Sequence, residues 1–351
     1  MVRRRSSRKK RGSGAAFLFF LILVMIGGAG AAAWFVFLPA GPGSETFVDI
    51  APGSSSSRIA TQLEKAGVVR SRFGFDAVRL WKRGALKAGE YRFDHAAPVT
   101  EVYARIVRGD VYTLPVTIPE GATRFDIAAR VAQAGFLNIH KEDFLAATVS
   151  ETPLIADLDP QARSLEGYLF PDTYRFPRKV KPSQILSAMV RRFRTATSEI
   201  GLEQQASTRS VHDVVTLASL VERETAVNSE RPLVASVLLN RLAAKMPLMT
   251  DPAVIYGLEA EGQWRGAIYE SDLKRDTPYN TYRHAGLPPG PIANPGLPSL
   301  RAAADPAATD YLYFVAAGAD PQGKSRFAAT LDEHNKNVAS YRHAVKQAGG
   351  H

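Results

Sequence analysis

Two carboxylates, Glu222 and Glu224, lie inside the apolar stretch TLASLVERETAVNSERPLVASVLLNRLAAKMPLMTDPAVIYGL that runs from Thr216 to Leu258. A carboxyl group among Leu and Val side chains is difficult to ionise. It either pairs with a cation or stays protonated near neutral pH, where it can serve as an acid. Breaking a glycosidic bond requires such a group.

The spacing predicts a helix beginning near His212. At 100° per residue, Val214, Leu217, Ala218 and Val221 mark its apolar face, with Thr216, Ser219 and Arg223 opposite. Glu222 and Glu224 are then about 200° apart, so only one of them reaches a given cleft. Glu224 projects between Leu217 and Leu220, whose side chains raise its pKa, and is the candidate acid. For either carboxylate, and more so for Glu222, the competing role is a structural ion pair with Arg223, Arg231 or Arg241.

Other elements must position these groups. A second helix is expected over Pro232–Ala244, with Val234, Val237, Leu238 and Leu242 at core spacing and Asn240 and Arg241 near its end, followed by a turn at Thr250-Asp251-Pro252. The stretch SLEGYLFPDTY, 164–174, reads as an irregular loop or strand end in which aromatic rings and carboxylates are suited to a sugar. Residues 277–282 and 286–298 are too rich in Pro and Gly for regular structure, and loops of that kind form sites or lids. A buried strand at 311–315 and a closing helix at 332–347 complete the region.

The chain of 351 residues is 45% hydrophobic, enough for two or three packed domains. It has no cysteine, which excludes disulfides, thiolate metal sites and a catalytic thiol, and its His residues show no HExxH-like spacing; no metal and no cofactor are expected. Of the net charge of +10, seven charges lie between Arg3 and Arg11, leaving +3 elsewhere. Nucleic acid is therefore not an expected partner.

Directly after this basic arm, Ala15–Leu38 contains no charged residue and is long enough to span a bilayer. Trp34-Phe35-Val36-Phe37 continues past the alanines where a signal peptide would end, so a permanent anchor with a cytoplasmic N-terminus is expected. The organisation read from the sequence is a basic tail at 1–14, a transmembrane helix at 15–38, a linker at 39–45, a small α/β region at 46–140 and a mixed α+β domain at 141–351.

The small region holds a repeat. Val48-Asp-Ile-Ala-Pro-Gly53 matches Val116-Thr-Ile-Pro-Glu-Gly121, and the pairs Ile59-Ala60 with Ile127-Ala128 and Ala66-Gly67 with Ala134-Gly135 keep the same offset. Each copy predicts a short strand, a turn at Gly and an amphipathic helix; between the copies, 86–93 reads as a strand and 99–107 as a helix. The arrangement resembles the strand-helix-helix-strand modules of the LysM type, which bind glycan chains of bacterial cell walls.

The motifs EGYLFPDTY at 166–174, ASLVERETA at 218–226, VASVLLNRL at 234–242, TDPAVIYG at 250–257, PYNTY at 278–282, GLPPGPIANPG at 286–296 and YLYFVA at 311–316 together resemble the YceG-like family of endolytic murein transglycosylases. The resemblance implies an α+β enzyme of the bacterial inner membrane, with its catalytic domain in the periplasm. It would cleave nascent peptidoglycan strands between N-acetylmuramic acid and N-acetylglucosamine and leave 1,6-anhydromuramyl ends. Cell-wall synthases or elongation proteins are the implied partners.

Aligned with the family, Glu224 takes the catalytic place. Glu166, Tyr168, Asp172, Glu222, Arg241, Asp251, Tyr279, Asn280, Tyr282 and Asn294 are the expected substrate-binding residues. One departure is Met249, where the family often has Gln. Two alternatives stand beside this reading: a muramidase-type hydrolase that pairs Glu224 with a second carboxylate such as Asp251, and a non-catalytic wall-binding scaffold.

Overall fold

The computed structural model describes residues 13–202, 209–320 and 323–348. It is a mixed α+β chain of two compact units, Met1–Thr113 and Leu114–His351. The division falls ahead of the expected boundary at 140, because the second copy of the repeat packs into the core of the larger unit through Val116, Ile118, Ile127, Val131 and Phe136.

The first unit begins with α1, Ser13–Phe37, which leaves Phe17, Phe19, Phe20 and Met25 exposed. Among the described residues no helix is long and apolar enough to cross a membrane. The basic tail expected at 1–14 falls, as far as residue 12, outside the described residues.

A strand-helix-helix-strand module follows, made of β1 (Thr46–Ile50), α2 (Ser56–Lys65), α3 (Arg72–Lys82) and β2 (Gly89–Phe93), and α4 (Val99–Arg108) comes after it. The strands pair antiparallel from Thr46 opposite Phe93 to Ile50 opposite Gly89. Ile50, Ile59, Leu63, Phe75, Tyr91 and Ile106 fill the core beneath them.

The second unit opens with the same order: β3 (Leu114–Thr117), α5 (Arg124–Gln133), α6 (Lys141–Ser150) and β4 (Thr173–Phe176), with β3 and β4 again antiparallel. Gly53 and Gly121 turn the two copies out of their first strands at φ +76 and +74, values that favour glycine. The repeat seen as spacing is thus a repeat of backbone.

The rest of the second unit is mostly helical: α7 (Pro182–Ser198), α8 (Val211–Glu224), α9 (Arg231–Ala243), α10 (Asp251–Ala260), α11 (Glu270–Lys274), α12 (Leu297–Ala304), the antiparallel hairpin β5 (Tyr313–Ala316) and β6 (Ser325–Ala328), and α13 (Leu331–Ala348). At its centre lies α8, contacted by α9, α10 and α12. It is buried all round from Val214 to Val221, which corrects two of the three residues expected opposite the apolar face: Thr216 and Ser219 have no exposed surface, while Arg223 is exposed. Ser219 makes this possible by donating to the Thr216 carbonyl at 2.7 Å and accepting the Ile292 amide at 3.0 Å. The expected turn at Thr250-Asp251-Pro252 is instead the start of α10, where Pro occupies a position that needs no amide donor.

Candidate active site

Ser210 caps the N-terminus of α8 by accepting the Asp213 amide at 3.1 Å. At the other end Thr225 turns into extended backbone, with φ −144 and ψ 135. Glu224 is therefore the last helical residue. It stands where the helix dipole is negative and disfavours an ionised carboxyl.

Glu222 and Glu224 leave α8 toward different surroundings. The Glu222 carboxylate is buried. It accepts Arg231 Nη2 at 3.1 Å and the Gly296 amide at 2.9 Å, so both of its oxygens are engaged inside the protein. Glu224 is half-buried and, among the described residues, accepts no hydrogen bond. Burial, followed by the negative charge of Asp251, raises its pKa to about 7, while the Arg241 guanidinium opposes the rise. Near neutral pH its carboxyl can therefore hold or release a proton, with a cation at hand for the charge it would carry after giving the proton up.

Each neighbour of Glu224 is fixed by its own element. Arg241, near the end of α9, donates Nε to the Leu312 carbonyl at 2.7 Å and Nη1 to Leu248 at 2.9 Å; among the described residues its Nη2 has no partner. Asp251 is the first residue of α10, where the positive end of the dipole suits an anion. It accepts the Tyr282 hydroxyl at 2.7 Å. Thr281 ties the two segments together, receiving the Thr250 amide on its hydroxyl at 2.9 Å and the Met249 amide on its carbonyl at 3.2 Å. Met249 holds φ +53, a strained conformation for a side chain of its size, at the step that turns the chain into Asp251.

His334 was not marked by any spacing in the sequence, since it is a lone His on an exposed helix. It stacks on Tyr313 with centroids 5.1 Å apart and planes at 23°, and the Arg241 guanidinium lies 5.4 Å from the centre of the same ring. Burial and the charge of Arg241 lower the His334 pKa. The imidazole is accordingly neutral beside Arg241, and its Nδ1 is buried without a partner.

The structure thus brings Glu224, Arg241, Asp251 and Tyr282 together. The other candidates lie elsewhere, and four of them are corrected to scaffold. Glu166 is buried beneath the N-terminus of α5, accepting the Arg124 amide at 2.9 Å and Asn294 Nδ2 at 2.6 Å. Asn294 has no exposed surface; its Oδ1 accepts the Gly167 and Leu169 amides, both at 2.9 Å. Tyr168 is a core ring whose hydroxyl donates to Asp159 at 2.8 Å. Asn280, also without exposed surface, caps α11 by donating to the carbonyls of Asp272, Leu273 and Arg275, and its Oδ1 receives the Tyr282 amide at 3.0 Å. Tyr168, Asn280 and Asn294 have no exposed surface and Glu166 is 2% exposed, with the polar groups of all four engaged inside the protein.

Asp172 forms a partly exposed ion pair with Arg192 at 2.8 Å. Tyr279 packs edge-on against Tyr256 at 4.9 Å. Glu222, expected at the substrate, is occupied by Arg231 and Gly296. Gly167 explains why its motif needs glycine: a Cβ there would lie 2.5 Å from Pro291 and 2.8 Å from Val215, at φ +89.

A cleft of about 710 Å³ opens farther back along α8, and Glu224 does not line it. A raised pKa does not by itself single out Glu224, since burial lifts Glu166 to about 7 as well; what marks Glu224 is that its carboxyl is partly exposed and, among the described residues, accepts no hydrogen bond, whereas Glu166 is engaged inside the protein.

Comparison with known proteins gives a single family. The model of the YceG-like family matches residues 48–340. A Bacillus subtilis protein named endolytic murein transglycosylase is 35% identical over 308 residues, covering 84% of each chain. A Streptococcus pneumoniae protein of the same name is 31% identical over 332 residues; the match covers 87% of this chain but 60% of that longer relative. The crystal structure of a YceG-like protein from Listeria monocytogenes aligns with a TM-score of 0.56 at 35% identity, covering 84% of this chain and 99% of that one.

Proposed function

The chain belongs to the YceG-like family, and on that premise we propose that it is an endolytic murein transglycosylase with Glu224 as its acid and base. The observation that carries this reading is the half-buried Glu224 carboxyl, held near pKa 7 between Asp251 and Arg241.

Glu224 gives its proton to the glycosidic oxygen between N-acetylmuramic acid and N-acetylglucosamine as the C1–O bond breaks. The carboxylate then takes the proton of the muramyl C6 hydroxyl while that oxygen bonds to C1 and closes a 1,6-anhydro ring. The proton passes from one sugar oxygen to the other, and no water is consumed. Burial, and after it the charge of Asp251, favours the protonated acid, and Arg241 stabilises the carboxylate between the two steps. Nη2 of Arg241 and the Tyr282 ring face the task of orienting the sugar.

In the cell this activity would limit the length of new strands. The exposed apolar surface of α1, with the basic residues before it, supports an inner-membrane anchor that leaves the catalytic unit in the periplasm beside the cell-wall synthases.

The test is mass spectrometry of purified strands after incubation with the detergent-solubilised protein and with Glu224→Gln. Anhydromuramyl ends from the native protein alone are expected. Reducing ends would instead assign a hydrolase in which Asp251 activates water, and intact strands in both samples would leave a wall-binding scaffold.

A further inference from the structure

The cleft of about 710 Å³ in the second unit is lined by none of Glu224, Arg241, Asp251 and Tyr282. Its walls are of two kinds. Arg163, Arg209 and His212 supply cations and Asp213 a single carboxylate, while Leu217, Leu239 and Leu242 supply apolar surface.

The acids nearby are already committed. Asp159 is buried and bonded to Tyr168 and to the Gln161 amide, and it holds His212 Nδ1 at 2.8 Å. Asp213 accepts the Ser210 hydroxyl at 2.7 Å. Arg209 spends one contact on the Ala304 carbonyl at 3.3 Å, and among the described residues no carboxylate pairs with Arg163. Two guanidinium groups beside apolar surface suit a ligand that carries carboxylates on a short, small-side-chain backbone.

The place of the cleft fits that ligand to the substrate. Leu217 precedes Glu224 by seven residues, which puts both on one face of α8 about 10 Å apart along the axis. The loop that carries Tyr282 at the reacting centre continues to Leu287, Pro288 and Pro289, which line the cleft. A murein strand bears, on its muramyl lactyl groups, peptides with free carboxylates and alanyl methyls.

We propose that this cleft receives the carboxylate-bearing stem peptide of the strand whose glycosidic bond lies at Glu224. The assignment rests on the reaction proposed above.

The experiment measures binding without cleavage. Full-length Glu224→Gln protein in detergent is titrated with glycan strands of one length, either peptide-bearing or stripped of peptide by an amidase, and the titrations are repeated with Glu224→Gln/Arg163→Glu and Glu224→Gln/Arg163→Lys. Arg163 is exposed, so these substitutions leave the core untouched. The expected result is at least tenfold tighter binding of peptide-bearing strands, a difference that falls below threefold with Arg163→Glu and is largely restored with Arg163→Lys. Equal binding of the two strand types, no binding of either, or a difference that Arg163→Glu does not reduce overturns the proposal. Failure of the reaction itself would show separately, as strands left uncut by the native protein.

Discussion

Arg231 Nη2 lies 3.1 Å from Glu222 Oε1, with both side chains about 5% exposed, and this pair decides which of two neighbouring glutamates is free to react. The second oxygen of Glu222 holds the Gly296 amide and so fixes the loop that leads into α12. Removing one partner of a buried ion pair strands the other charge, at a loss of about 3–5 kcal/mol. Arg231→Met should lower unfolding stability by that amount in a denaturant titration. Glu222→Gln should lose less, because its amide leaves no unpaired anion. A loss below about 1 kcal/mol for Arg231→Met would mean that the pair does not organise the end of α8.

The pH dependence of kcat/KM follows from a single group. Glu224 must begin protonated, and its pKa stands near 7, so the rate should be flat in mildly acidic solution and fall as pH rises through about 7. Asp251 raises that pKa, so Asp251→Asn should move the falling limb to lower pH. Arg241 opposes the rise, so Arg241→Gln should move it to higher pH. A bell-shaped profile in the native protein would require a second titrating group, as a two-carboxylate hydrolase does.

Much of this site was legible in the chain because its signals are local. A carboxyl beside leucines is a property of a few adjacent residues, and Glu222 was already balanced between a substrate role and an ion pair with Arg223, Arg231 or Arg241; the Asp-Pro step, in contrast, reads as a turn and is the start of a helix. What the sequence hid was long-range pairing. Asn294 reaches Glu166 across 128 positions, and nothing in either motif separates a buried staple from a sugar contact. The polar face drawn for α8 held at Arg223 and failed at Ser219 for a related reason: Ser219 satisfies itself on the backbone of Thr216 and on Ile292, so a hydroxyl that looks solvent-facing on a helical wheel packs inside. The stack of Arg241, Tyr313 and His334 draws on three separate elements, none with a spacing that marks it.

Stability should report the state of Glu224 independently of activity. Its pKa rises from 4.5 in the unfolded chain to about 7 in the fold, so the folded protein binds the extra proton. The stability this provides is complete below pH 4.5 and is lost as pH rises through about 7. Glu224→Gln cannot ionise. It should match the native protein at pH 4 and exceed it at pH 8 by about 1–2 kcal/mol, a figure below the full 1.36 kcal/mol per unit because the side chain is partly exposed. Differential scanning calorimetry at the two pH values checks this; an equal difference at both would mean that Glu224 is ionised at neutral pH in the fold.

Asn294 should behave as a structural keystone, in contrast to the reacting residues. Its side chain accepts the Gly167 and Leu169 amides and donates to the Ala122 carbonyl and Glu166, and so joins three segments that contain no shared helix or strand. Asn294→Ala would leave two buried amides without an acceptor, at about 1–3 kcal/mol each. It would also remove a donor from Glu166, whose burial already lifts its pKa to about 7. We expect a loss of about 3 kcal/mol or more in chemical denaturation. Below the new melting temperature, kcat should fall little, since Glu224, Arg241 and Asp251 make no contact with Asn294. A variant that stays as stable as the native protein and yet loses its affinity for strands would return Asn294 to the substrate.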